Sequence, residues 1–132
     1  MIDTNSDITF AGMVREKLHK NGFYTVDAVN WLVGSIMASS MSSYISSYSI
    51  DYEDKRIRLN LRQKYLNKFG DEQNDSFSFY DALEDSFKDL FSVYKSSVCS
   101  LLEPSSLLQF YSTPKKMFYA LQRVENCLII IL

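Results

Sequence analysis

Residues 48–62 read YSIDYEDKRIRLNLR, and the fold class turns on how this stretch is read. Tyr48, Ile50 and Tyr52 alternate with Ser49 and Asp51. Ile57, Leu59 and Leu61 alternate with Arg56, Arg58, Asn60 and Arg62. Two alternating runs around Glu53-Asp54-Lys55 are the pattern of a β-hairpin. A helix competes for the same residues, because Ile57, Leu61, Tyr65 and Phe69 recur at every fourth position.

The flanking sequence favours helices. Phe10, Ala11, Val14 and Leu18 form one apolar stripe over residues 7–21, closed by Gly22. Thr25 is a good N-cap for a second helix over about 26–47, with Val29, Leu32, Val33, Ile36, Met41 and Tyr44 on its apolar side. A third helix is expected over about 79–102, where Phe79, Leu83, Phe87, Leu90, Tyr94 and Val98 share a face; Pro104 stops it. A short helix follows over 105–111. Thr113-Pro114 then reads as the start of a last helix, with Met117, Leu121, Val124, Leu128 and Ile131 on one stripe. The expectation is a mainly α protein: one helical domain over residues 1–132, a compact bundle of four or five helices, with a small β-hairpin near residues 48–62 as the open alternative.

Composition agrees with a globular chain. There are 132 residues, 46% hydrophobic and 23% charged, with only 4 glycines and 2 prolines. So few turn residues argue against a sandwich or barrel of many short strands. The net charge of −2 shows no basic excess of the kind nucleic-acid binders carry. Cys99 and Cys127 are too few for a disulfide scaffold and read as buried free thiols. The start of the chain is polar and acidic, unlike a signal peptide. Residues 28–50 hold no charge, but eight serines make them too polar for a lipid-facing span. These readings together give a cytoplasmic protein with no membrane segment.

Catalytic candidates are few. His19, the single histidine, falls on the polar side of the first helix, with no nucleophile or orienting carboxylate marked out by spacing. Glu84 with Asp85 and Asp71 with Glu72 read as solvated charges. All four glycines are isolated, which excludes a phosphate-cradling loop. One histidine and two distant cysteines make no closed zinc site. No enzyme activity, metal or cofactor is expected.

Two surfaces stand out instead. The face of the second helix that carries Trp31, Ser35, Ser39, Ser42 and Ser46 is small and uncharged, where a solvated face normally shows Lys and Glu. It reads either as buried between two neighbours or as an association surface anchored by Trp31. The second surface is a basic stripe over residues 55–68, in which Arg56, Arg58 and Arg62 share one face if the segment is a strand. Its partner is either the chain's own acidic run from Asp71 to Asp85 or an outside acidic surface. The profile is that of a non-enzymatic protein that sequesters, inhibits or escorts one protein partner, as inhibitors, immunity proteins and secretion chaperones do, with a homodimer as a further option. The alternative is a small dimeric nucleic-acid-binding regulator that uses the basic stripe.

Overall fold

The computed structural model describes residues 4–62, 75–113 and 115–132. It corrects the helical bundle: five α-helices and a four-stranded antiparallel sheet form an α+β fold among the described residues. Along the chain these are α1 (Thr4–Lys20), α2 (Val26–Ala38), a 3-10 turn (Ser40–Tyr44), β1 (Ile45–Asp51), β2 (Arg56–Leu61), α3 (Asp75–Val93), α4 (Lys95–Ser100), α5 (Pro104–Ser112), a second 3-10 turn (Lys115–Phe118), β3 (Ala120–Val124) and β4 (Cys127–Ile131). The strand order is β1-β2-β4-β3.

The first helix ends as its sequence suggests. Gly22 takes φ +70°, and the N–H groups of Phe23 and Gly22 return to the carbonyls of Leu18 and His19 at 2.7 and 3.1 Å. This pair of bonds is a Schellman cap, which needs a left-handed residue where glycine pays no Cβ penalty. Thr25 caps α2 by accepting the Ala28 N–H.

The second helix stops at Ala38, nine residues before the expected end. Beyond it Ser39 and Ser43 bond back to the main chain. The Ser39 hydroxyl donates to the Ile36 carbonyl and accepts the Met41 N–H, and Ser43 donates to the Ser40 carbonyl. Serines offer the backbone such local alternatives to the helix ladder. Met41 still reaches the core, but from the 3-10 turn.

The hairpin reading of residues 48–62 is the one realised, starting slightly earlier at Ile45. Tyr48 pairs with Leu59, Ser49 with Arg58 and Asp51 with Arg56. The Asp51 carboxylate accepts the Glu53 and Asp54 N–H groups in the turn, and Lys55 closes it with φ 55°. The long third helix breaks at Tyr94 into α3 and α4. Tyr65 and Phe69, on which the rival helix depends, lie outside the described residues.

The last expected helix is a second hairpin. Thr113 caps the end of α5, its hydroxyl donating to the Gln109 carbonyl at 2.7 Å. Cys127-Leu-Ile-Ile-Ile131 then forms β4 between β2 and β3. A run of three β-branched residues suits a strand; Leu128 and Ile130 are buried on the helix side, while Ile129 and Ile131 are half-buried on the other face. Leu128 and Ile130 join Ile57, Leu59 and Leu61 in the core under the helices.

Aromatic rings fasten the helical layer to the second hairpin. Phe87 stacks on Tyr119 at 4.5 Å, while Phe91 meets Phe23, Phe110 and Phe118 between 5.6 and 5.7 Å. The buried Tyr24 hydroxyl donates to the Phe118 carbonyl at 3.3 Å, and burial holds its pKa well above the usual tyrosine range.

The β3–β4 turn gives a test of sign. Glu125 sits there at φ 51°, which costs a non-glycine residue about 1 kcal/mol. Glu125→Gly is expected to stabilise the protein by up to about 1 kcal/mol in a urea melt. A helix through this position would give the opposite sign, a loss of about 1 kcal/mol.

Candidate functional site

One side of α2 serves the core through Ala28, Val29, Leu32, Val33 and Ile36. The other side is open. Trp31 is 41% exposed, and Asn30, Gly34 and Ala38 beside it are exposed too. A Cβ built on Gly34 would meet nothing within 4 Å, so no described element requires a small residue there. Among the described residues α2 is thus covered on one side only.

The serines expected along this helix are not on one face. Ser35 remains on α2, half-buried. Ser39 is its C-cap, Ser42 belongs to the 3-10 turn, and Ser46 lies on β1, where its hydroxyl donates to the Asn60 carbonyl at 3.1 Å. Two further exposed aromatics, which sequence reasoning did not single out, are Tyr48 and Tyr52. The Tyr52 hydroxyl donates to the Asn30 side chain, tying the end of the first hairpin to α2 one residue from Trp31. Tyr52 and Tyr48 are 37% and 48% exposed. Their alternation with Ser49 and Asp51 was the available signal: one exposed aromatic on β1 and a second in the turn just beyond it.

That strand is an edge. β1 lies at the end of the sheet, and Ser46, Ser47, Tyr48 and Ser49 are all exposed. No charge occurs from Ile45 to Ile50. Proteins usually protect edge strands with lysines, prolines or bulges. β1 has one irregularity, between Ile45 and Ser47, and among the described residues no strand pairs with its outer side. The opposite edge, β3, carries Arg123.

The basic stripe takes its strand form. Arg56, Arg58 and Arg62 are exposed on the face of the sheet away from the helices, while Ile57, Leu59 and Leu61 are buried beneath. Arg56 and Arg58 pair across the sheet with Ile131 and Ile129, both only half-buried, so cationic and apolar groups alternate on this face. A chain of hydrogen bonds fixes it: Arg58 Nε donates to Cys127 Sγ at 3.2 Å, the thiol to Asn60 Oδ1 at 2.9 Å, and Asn60 Nδ2 to Ser47 Oγ at 2.8 Å. Arg62 Nε donates to the Ile45 carbonyl at 3.3 Å. The remaining basic residues Lys64 and Lys68, and the acids Asp71 and Glu72, lie outside the described residues. Asp81 and Asp85 belong to α3 in the helical layer, where they line a groove with Ser35 and Ser39 instead of facing the stripe.

The described members of the candidate set, His19, Glu84 and Asp85, are not brought together. His19 is exposed, its ring 5.0 Å from that of Tyr24. Glu84 accepts the Lys115 N–H at 2.8 Å, while Asp85 is exposed. Among the described residues no group of three or more His, Cys, Asp or Glu side chains could hold a metal ion. Nor is any of their helices long and apolar enough to cross a membrane. No protein-family model matches the chain, and neither does any curated protein or solved structure.

The two thiols differ, against the expectation that both are buried. Cys127 is buried and hydrogen-bonded in the sheet; Cys99 is half-buried, 3.2 Å from the Tyr111 hydroxyl. Under native conditions iodoacetamide is expected to modify Cys99 well before Cys127, as read by site-resolved mass spectrometry. Equal rates would contradict the buried network around Cys127.

Proposed function

We propose that this protein is a non-enzymatic binding protein that sequesters, inhibits or escorts one protein partner, and that an extended segment of the partner adds to β1 as a fifth strand. The observation that carries this reading is the edge strand β1, uncharged from Ile45 to Ile50, with Tyr48 exposed on it and Tyr52 exposed just beyond it, where it holds Asn30, the neighbour in sequence of the exposed Trp31. In strand addition, main-chain hydrogen bonds supply affinity and the alternate side chains supply specificity. Aromatic residues give large contact area and dominate interface energetics. Arg56, Arg58 and Arg62 on the adjoining open face favour an acidic partner, whose approach they would steer. The setting we propose is the cytoplasm, in keeping with two free thiols.

The test is to capture the partner from a native-host extract on the immobilised chain and then measure its affinity for two variants. Trp31→Ala is expected to weaken binding by about 2 kcal/mol, roughly 30-fold, with stability changed by no more than about 0.5 kcal/mol. Tyr48→Lys places a charge on the edge and is expected to act in the same direction. Unchanged affinity in both variants overturns the reading, as does a collapse of the melting temperature with Trp31→Ala. If instead the isolated chain sediments as a dimer that Tyr48→Lys dissociates, the occupant of β1 is a second copy.

A further inference from the structure

On the side of the helical layer formed by α3, α4 and α5 lies a cavity of about 590 Å³. Ligand pockets of small molecules fall in this size range. Its apolar wall is made by Phe91, Val98 and Phe110, all buried. Among the described residues its charged lining is three lysines, Lys88, Lys95 and Lys115, against one carboxylate, Glu84. Lys88 and Lys95 are exposed at the rim. Lys115 is half-buried, with its ammonium 4.3 Å from the centre of the Phe110 ring, 5.0 Å from Phe91 and 5.7 Å from Phe118.

The placement of Lys115 follows from the chain around it. Thr113 ends α5, and Glu84 on α3 takes the Lys115 N–H at 2.8 Å, which fixes the start of the second 3-10 turn against α3. The side chain is thereby laid across the aromatic cluster and not out into water. Burial lowers its pKa, with Glu84 opposing the shift. A cation over ring faces is attracted to them, yet its remaining N–H donors still seek an acceptor. Tyr111 supplies a further polar group at the wall, its hydroxyl 3.2 Å from Cys99 Sγ.

We propose that this cavity binds a small amphipathic carboxylic acid, its apolar body against Phe91 and Phe110 and its carboxylate at Lys115. The charge balance of the lining selects an anion, and the aromatic wall selects one that carries a flat or alkyl body. An inorganic anion leaves the rings uncovered; a neutral hydrocarbon leaves the lysine donors without an acceptor. The site lies in the helical layer, so it is separate from the β1 edge, and its test is independent of the partner.

The probes are naphthalene-2-carboxylate, its neutral carboxamide and inorganic phosphate, titrated into the full chain and followed by 15N–1H NMR. The expected result is saturable binding of the carboxylate, with shifts concentrated at Phe91, at Phe110 to Thr113 and at Lys115. The carboxamide should bind about tenfold more weakly or less, since a hydrogen bond to a charged group carries that much discrimination. Lys115→Met should remove the preference for the acid. Because Lys115 touches the core rings, Lys95→Glu at the exposed rim is a second variant, expected to weaken the acid several-fold with an unchanged melting temperature. An acetylated tripeptide ending in phenylalanine, with a free or amidated terminus, separates the two sources of such a carboxylate. Tighter binding of the free-acid peptide than of naphthalene-2-carboxylate identifies a peptide terminus; the reverse identifies a free small acid. Absence of binding by both acids, equal binding of acid and carboxamide, equal binding of phosphate, or shifts centred elsewhere overturns the proposal.

Discussion

The pairing of β4 with β2 holds the rest of the fold in place. β4 comes from the C-terminal end of the chain and enters the sheet beside a hairpin formed some seventy residues earlier, in the register Arg58 to Ile129 and Leu59 to Leu128. An isolated two-stranded hairpin is marginal in water. Neither the β1–β2 nor the β3–β4 hairpin has an apolar face wide enough to bury α1, α2 and α3. Joined through β2 and β4, they present Ile57, Leu59, Leu61, Leu128 and Ile130 as one surface, and the apolar stripes of the helices have something to cover. The final carbonyl-to-amide link, Leu132 N–H to Lys55 O at 3.0 Å, ties the end of the chain to the turn of the first hairpin.

The same pairing decides which surfaces remain available. With β2 and β4 central, β1 and β3 become edges. The helices occupy one face of the sheet, so the arginines of β2 are displayed on the other. The thiol of Cys127 is turned into that open face and covered there by Arg58 and Asn60, a polar setting for a side chain that is elsewhere a small hydrophobe. The helical layer has its own centre in Phe91, which touches the loop after α1, α5 and the second 3-10 turn through Phe23, Phe110 and Phe118. The lysine-lined cavity borders that cluster, so the residues that stabilise the helical layer also shape the proposed binding wall.

Local chemistry was legible in the sequence. The Gly22 and Thr25 caps, the core stripe of α1, the first half of α2, the main face of α3 and the short helix after Pro104 each depend on contacts within a few residues. The alternation of Arg56, Arg58 and Arg62 with Ile57, Leu59 and Leu61 also carried the correct facing of the basic stripe, once the segment was a strand. Among the candidate site residues, the exposure of Trp31 and of the three arginines was legible from their neighbours alone. The serines could not be placed together, because hydroxyl bonds back to the main chain redirect the path of the backbone after Ala38.

Only the tertiary structure decided the class of the fold. Met117, Leu121, Val124, Leu128 and Ile131 satisfy a helical period, yet their segment becomes a 3-10 turn and a hairpin. A fully apolar run such as Leu128-Ile-Ile-Ile-Leu132 has no period to read, since a central strand and a buried helix both tolerate it. Its choice of strand depends on β2, a neighbour distant in sequence. By itself the sequence determined the caps at Gly22 and Thr25 and most of the residues that avoid water; the strand order, and with it the exposed β1 edge and the cavity around Lys115, came from long-range pairing that no local pattern encodes.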